Sequence, residues 1–170
     1  MTDEFEIRSA VFRVSRCQPF LARLRGIGAA RGTRIICFNA DLMAGRAHAA
    51  AALRRALRAV REGAAISASL EMEALLSASG NRQCSVAERF GIHEGENRAY
   101  VCLYPPSEAA YRDLSALMEF VDEDWEAIPE EKEERLREAF GITREELAAA
   151  GPGRLRELVL ERVALLEVYR

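Results

Sequence analysis

Apolar residues recur along this chain with two different periods. Glu6 to Val14 is rich in β-branched and aromatic residues and predicts a strand. Arg34 to Asn39 is a compact apolar run, expected to be a central strand because it is apolar on both faces. Arg98 to Tyr104 reads as a further buried strand, stopped by Pro105 and Pro106. Helical spacing fills the intervals. Pro19 is expected to open a short helix with Phe20, Leu21, Leu24 and Ile27 on its apolar face, ended by Gly26, Gly28 and Gly32. From Ala44 to Arg61, Leu53, Leu57 and Val60 recur at i, i+4 and i+7 and should face the core, with Arg54, Arg58 and Arg61 on the adjacent face. Helices are also predicted over Ser69–Ser79, ended by Gly80, and over Cys84–Phe90, closed by a left-handed Gly91. Beyond Pro106 the pattern is helical, near 107–120, 130–140 and 143–150, where Thr143 and Glu146 form a capping box. A last helix, Arg154 to Tyr169, aligns Leu155, Leu158, Val159, Val163 and Leu166. The pattern predicts an α+β fold of α/β-like character. Helices pack on a small mixed or antiparallel sheet, and the C-terminal part is helical.

At 170 residues, 49% apolar and 30% charged, the chain is expected to form one domain spanning 1–170. Apolar runs such as Ala47 to Leu53 fall short of the roughly 18–20 residues of a membrane span. Asp3, Glu4 and Glu6 make the first residues unlike a secretion signal, so a reducing, cytoplasmic setting is expected. Cys17, Cys37, Cys84 and Cys102 show no metal-binding spacing and are expected to be four small buried hydrophobes. The net charge of −3 hides an asymmetry. Residues 1–100 hold 15 arginines against 10 acids, whereas acids concentrate in Asp122–Glu126 and Glu130–Glu134, runs that usually mark solvated helix faces. The basic half is therefore the side able to meet phosphate.

No catalytic set can be assembled. Gly26-Ile27-Gly28 closes a helix and precedes a strand, the reverse of a dinucleotide-binding loop. There is no phosphate-binding P-loop, and the only lysine is Lys132. His48 and His93 lack a neighbouring nucleophile signature; His48 is expected on a half-exposed helix face and His93 in an exposed loop. Glu71 and Glu73 lie about 200° apart on a helix, too far round to work as a pair, although either can orient an arginine. No cofactor or metal is expected. One segment has binding character: Ser77 to Gln83 is a donor-rich turn before a helix start, with Arg82 beside it, suited to a phosphate or a splayed nucleotide.

Asn39-Ala40-Asp41-Leu42-Met43-Ala44-Gly45-Arg46-Ala47-His48 opens an alanine-rich helix. Ser69-Leu70-Glu71-Met72-Glu73-Ala74-Leu75-Leu76-Ser77-Ala78-Ser79-Gly80 leads into Arg82-Gln83-Cys84, and the chain closes with Glu161-Arg162-Val163-Ala164-Leu165-Leu166. Together these resemble the small regulatory subunit of the KEOPS complex, the kinase-binding TPRKB family, of archaeal type. Two positions depart from the family pattern: Ser77 replaces an apolar or aromatic residue, and Cys84 stands where Ile is common. The resemblance implies a non-catalytic subunit of the complex that installs threonylcarbamoyl on adenosine in tRNAs reading codons that begin with A. Such a subunit docks on and stimulates an atypical small kinase/ATPase, reaches the transferase through it, and holds tRNA, including its 3′ CCA end. By position, it implies RNA contact from Ser79, Gly80, Arg82 and Gln83, with Leu75 as an apolar stacking surface and Asn39, His48 and Arg54 as further contacts. Two rivals remain: a kinase-activating scaffold without RNA contact, and a small-molecule enzyme using Glu71 or Glu73 with His48.

Overall fold

A computed structural model of the chain describes residues 4–168, and their side chains as far as Leu166. Four strands form one antiparallel sheet: β1 (Glu6–Val14), β2 (Arg34–Asn39), β3 (Gly95–Tyr104) and β4 (Glu119–Val121), in the order β2-β3-β1-β4. The fold is α+β, as the pattern predicts. β2 is not central as expected. It pairs with β3 alone, Arg34 opposite Tyr104 and Asn39 opposite Ala99, and forms an edge. Its apolar character on both faces comes from helices covering both sides of the sheet, which is independent of how many strands it bonds.

Alternation along the strands divides the core in two. Ile36, Phe38, Tyr100 and Cys102 face α2 (Arg46–Arg61), α3 (Leu70–Ser79), α6 (Glu130–Phe140) and α8 (Leu155–Val168), meeting Leu53, Leu57, Ala74, Leu136, Phe140 and Val159. Ile35, Cys37, Ala99, Val101 and Leu103 face α1 (Cys17–Arg31) and α5 (Glu108–Leu114), meeting Leu24, Tyr111 and Leu114. α4 (Cys84–Ala87) continues into a 3₁₀ turn, Glu88–Phe90, and α7 (Arg144–Ala150) starts where the Thr143 hydroxyl accepts the Glu146 N–H.

Several expectations are corrected. α1 runs through Gly26 and Gly28 and ends only at Gly32, which is left-handed. The helix predicted near 107–120 stops at Leu114, and β4 follows. Val60 is 48% exposed, because the last turn of α2 is solvated except for Ala59. Gly91 is extended rather than left-handed; an added Cβ would press on Leu75 at 3.0 Å, so close packing is what its missing side chain permits. Of the cysteines only Cys37 and Cys102 are buried; Cys17 is half-buried, and Cys84 is exposed in the first turn of α4. Burial pushes the Cys37 thiol up to about 12. Tyr169 and Asp3 lie outside the described residues.

The acidic run Asp122–Glu126 is no helix face but an irregular strap. Three successive carbonyls of it accept side-chain bonds: Asp124 from Tyr100 Oη, Trp125 from Lys132 Nζ and Glu126 from Arg156. Trp125 takes a left-handed φ of 47° between them. Burial lowers the Lys132 ammonium to about 8, against neighbouring Asp41 and Glu126, which raise it. The Glu126 carboxylate accepts the Arg46 N–H at 2.7 Å and so caps the start of α2, where opposite charge suits the helix dipole. Gly45 makes room for it, since a Cβ there would lie 2.4 Å from a Glu126 oxygen.

Candidate functional site

The unpaired side of β2 opens into a groove between α1 and α3. It encloses about 750 Å³, within the range of roughly 300–1,000 Å³ typical of ligand pockets. The α1 wall presents Leu21, Leu24, Arg25, Gly28, Ala29 and Gly32, spaced three and four apart. The α3 wall presents Ser69, Glu71, Met72 and Leu75; Ile35 and Cys37 line the floor, and Ile92 completes it. Ser69 fixes where α3 begins, its hydroxyl accepting the Met72 N–H at 3.1 Å.

Gly28 sets the α1 wall against β2. An added Cβ would stand 2.6 Å from the Thr33 carbonyl oxygen, a backbone atom that has no side-chain freedom to yield. Gly28→Ala is therefore expected to destabilise the protein by about 1–3 kcal/mol despite alanine's better helix propensity. Urea unfolding measures it; a stabilised variant would show that the wall yields without cost.

The mouth is charged. Arg34 donates to Glu71 Oε1, pairing β2 with α3, and the two side chains are 48% and 34% exposed. Arg25 is exposed on the opposite wall and makes no ion pair among the described residues. The lining combines aliphatic side chains with two guanidinium groups and one carboxylate.

Of the residues expected to contact RNA, the structure brings Leu75 alone into this lining, half-buried against Gly91. Arg82 and Gln83 are exposed on the turn before α4, where the Gln83 N–H donates to Asn81 Oδ1 at 2.8 Å. Ser79 is buried: its hydroxyl donates to the Leu76 carbonyl at 2.9 Å and accepts the Asn81 N–H at 3.2 Å, closing α3. Gly80 is left-handed and faces the Arg162 backbone of α8, away from the groove. Asn39 caps the 3₁₀ turn after β2 by accepting the Asp41 N–H at 3.0 Å and donates to the Arg89 carbonyl. Arg54 is exposed with its guanidinium over the Phe5 ring, 5.5 Å from the centroid.

His48 is the clear correction. Expected on a half-exposed face and named as an RNA contact, it is fully buried. Its Nδ1 accepts the Ala44 N–H at 2.9 Å, which leaves the proton on Nε2 to donate to the Ala78 carbonyl at 2.8 Å. It fastens α2 to α3. The carboxylates do orient arginines: Glu71 holds Arg34, and Glu73 lies buried 3.5 Å from Arg55 Nη1. Glu71, Glu73 and His48 do not converge on one cavity, which removes the geometry the enzyme reading required. Sequence reasoning missed Arg25, Arg34 and Glu71 as a set; the only signal was the small-residue stripe Gly28, Ala29 and Gly32 beside Arg25.

Residues 23–167 match the family model described as kinase binding protein CGI-121. The chain belongs to the CGI-121 family. The match takes in the α1 wall from Leu24 onward, the α3 wall and β2 between them. Among curated proteins no significant match is found. As a CGI-121 family member, the chain has kinase binding as its family-level role. Among its described residues, no helix is long and apolar enough to cross a membrane.

Proposed function

We propose that this protein is the non-catalytic regulatory subunit of a KEOPS complex. In this reading it acts in the cytoplasm, docks on and stimulates the complex's small kinase/ATPase, and through it serves the threonylcarbamoyl transferase. It also carries the tRNA, including the single-stranded 3′ CCA end. The observation that carries the RNA part is the groove, an aliphatic slot with Leu75 on one wall, Arg25 exposed on the other and Arg34 at its mouth. Unstacked bases bind apolar surfaces that have cations nearby for the phosphates, with little need of base-specific contacts. Arg82 and Arg54 are exposed and add cationic surface outside the slot, with Gln83 next to Arg82 as a neutral hydrogen-bonding group. Ser79, Gly80 and Asn39 lie outside the slot lining, where they close the end of α3 and cap the turn after β2, and any contact they make with RNA is outside the slot.

The test is binding of the protein to a full tRNA and to the same tRNA lacking its 3′ CCA, at two salt concentrations. Binding is expected to fall with salt as phosphate contacts release counterions, and to fall again without the CCA. Leu75→Glu places an anion on the slot wall and should weaken binding about tenfold or more, with Arg25→Glu and Arg82→Glu each costing several-fold. If neither RNA binds at low salt while the partner kinase's ATPase is still stimulated, the protein is a kinase-activating scaffold and the RNA reading fails.

A further inference from the structure

Glu71 is out of place in a slot for a polyanion. It is the one carboxylate among the residues lining the groove, on the wall that carries Leu75. Its Oε1 accepts from Arg34, whereas no partner is found for Oε2 among the described residues, and the side chain is 34% exposed. An open carboxylate oxygen repels phosphate but accepts strongly from neutral hydroxyl or amino donors. The pairing also engages Arg34, leaving that guanidinium less able to receive an anion. The last nucleotide of an RNA presents such donors: a 2′,3′-cis-diol and, on adenine or cytosine, an exocyclic amine. A terminal 3′-phosphate would replace a donor with negative charge.

Resting on the reading that the groove takes an RNA end, we infer that Glu71 makes this site selective for RNA whose last nucleotide offers a neutral hydrogen-bond donor, and that it excludes a 3′-phosphorylated end. Glu71 then acts as a specificity residue. It contributes little to total affinity and much to the choice between ends. Arg34 has the complementary role of keeping the carboxylate partly neutralised.

The experiment uses the full chain and short single-stranded RNAs ending in CCA, read by fluorescence anisotropy at low salt. One RNA ends in the cis-diol, one in a 3′-phosphate, one in a 2′,3′-dideoxy nucleotide, and one in purine riboside, which lacks the amine. The 3′-phosphate RNA is expected to bind about tenfold more weakly than the diol, between the roughly fivefold of one unit-charge repulsion and the roughly thirtyfold of two at about 4 Å in a water-exposed site. Glu71→Gln should bring the two within about threefold, while Arg34→Gln, which uncovers the carboxylate, should widen the ratio even as overall affinity drops. Loss of affinity with the dideoxy end identifies the diol as the donor; loss with purine riboside identifies the amine. Equal binding of the diol and phosphate ends by the wild type, or discrimination that survives Glu71→Gln, overturns the inference and leaves the RNA reading intact. Failure of every RNA to bind overturns both.

Discussion

Replacing Glu73 with alanine is expected to destabilise the protein by about 3–5 kcal/mol, the cost of removing one partner of a buried ion pair. Glu73 is fully buried on α3, and Arg55 on α2 is 2% exposed. Glu73 Oε1 accepts from the backbone N–H groups of Ile66 and Ser67, at 2.8 and 2.9 Å, and from the Ser67 hydroxyl at 3.1 Å. Its Oε2 faces Arg55, whose Nη1 also donates to the Ser77 hydroxyl at 2.9 Å. The carboxylate therefore balances a charge and satisfies two backbone donors of the connection between α2 and α3. Alanine takes the facing carboxylate away from a buried guanidinium and leaves two N–H groups without that acceptor, each change costly in its own right. Denaturant unfolding should show a lower midpoint at unchanged slope. Pairing Glu73→Gln with Arg55→Met should recover much of the loss, because neither residue then carries charge. A Glu73→Ala variant within about 1 kcal/mol of wild type would contradict this account of the pair.

Stability should also fall as pH drops from about 6.5 towards 4. Burial pushes the His48 pKa down to about 4; the bond to Ala78 opposes the shift and the Lys132 charge adds to it. In the unfolded chain the imidazole titrates near its ordinary 6.5. Between these values the unfolded state holds more protons, so stability rises with pH across the window. The contribution is complete above the unfolded value and lost as pH falls through the folded one, about 3 kcal/mol in all. The carboxylates of Asp113, Glu134 and Glu146 are held below their ordinary values by hydrogen bonds from Arg31, Arg144 and Arg162 respectively, so they weaken the fold only at lower pH. Unfolding midpoints at pH 7.5, 6 and 5 separate the two effects. His48→Gln should be less stable at pH 7.5 but nearly flat over that range; a wild type equally flat would place the histidine's charge elsewhere.

Residues with strong local signals were legible in the sequence. β1, β2 and α6 fall where apolar periodicity and turn residues predict them, and Thr143 caps α7 as its spacing requires. β4 was not legible: three half-buried or exposed residues carry no alternation of their own and become a strand only by pairing with β1, a hundred positions away. The edge position of β2 was hidden for a related reason, since face burial reports the helices above and below and says nothing of the neighbouring strand. His48 sits among alanines in a helix with arginines close by, and its burial depends on α3 and Phe140 arriving from elsewhere in the chain. The groove is likewise a product of three distant segments. Leu75, which lines the groove, drew attention in the sequence because it stands in a distinctive motif; Arg25 and Arg34 belong to no motif, and the fold alone brings them to the same slot.

The strap after β4 ties together parts of the chain that are far apart in sequence. Tyr100 on β3, Lys132 on α6 and Arg156 on α8 each hold one of its successive carbonyls, while its Glu126 side chain caps α2. Arg156 also donates to the Ala44 carbonyl, reaching the approach to α2 directly. The helical tail therefore cannot be regarded as a detachable appendage. A chain shortened before α8 would lose a helix and also the cation that steadies the strap, and with it the cap on a helix built from residues more than a hundred positions earlier. Through these contacts, loosening at the C-terminal end is expected to reach the start of α2.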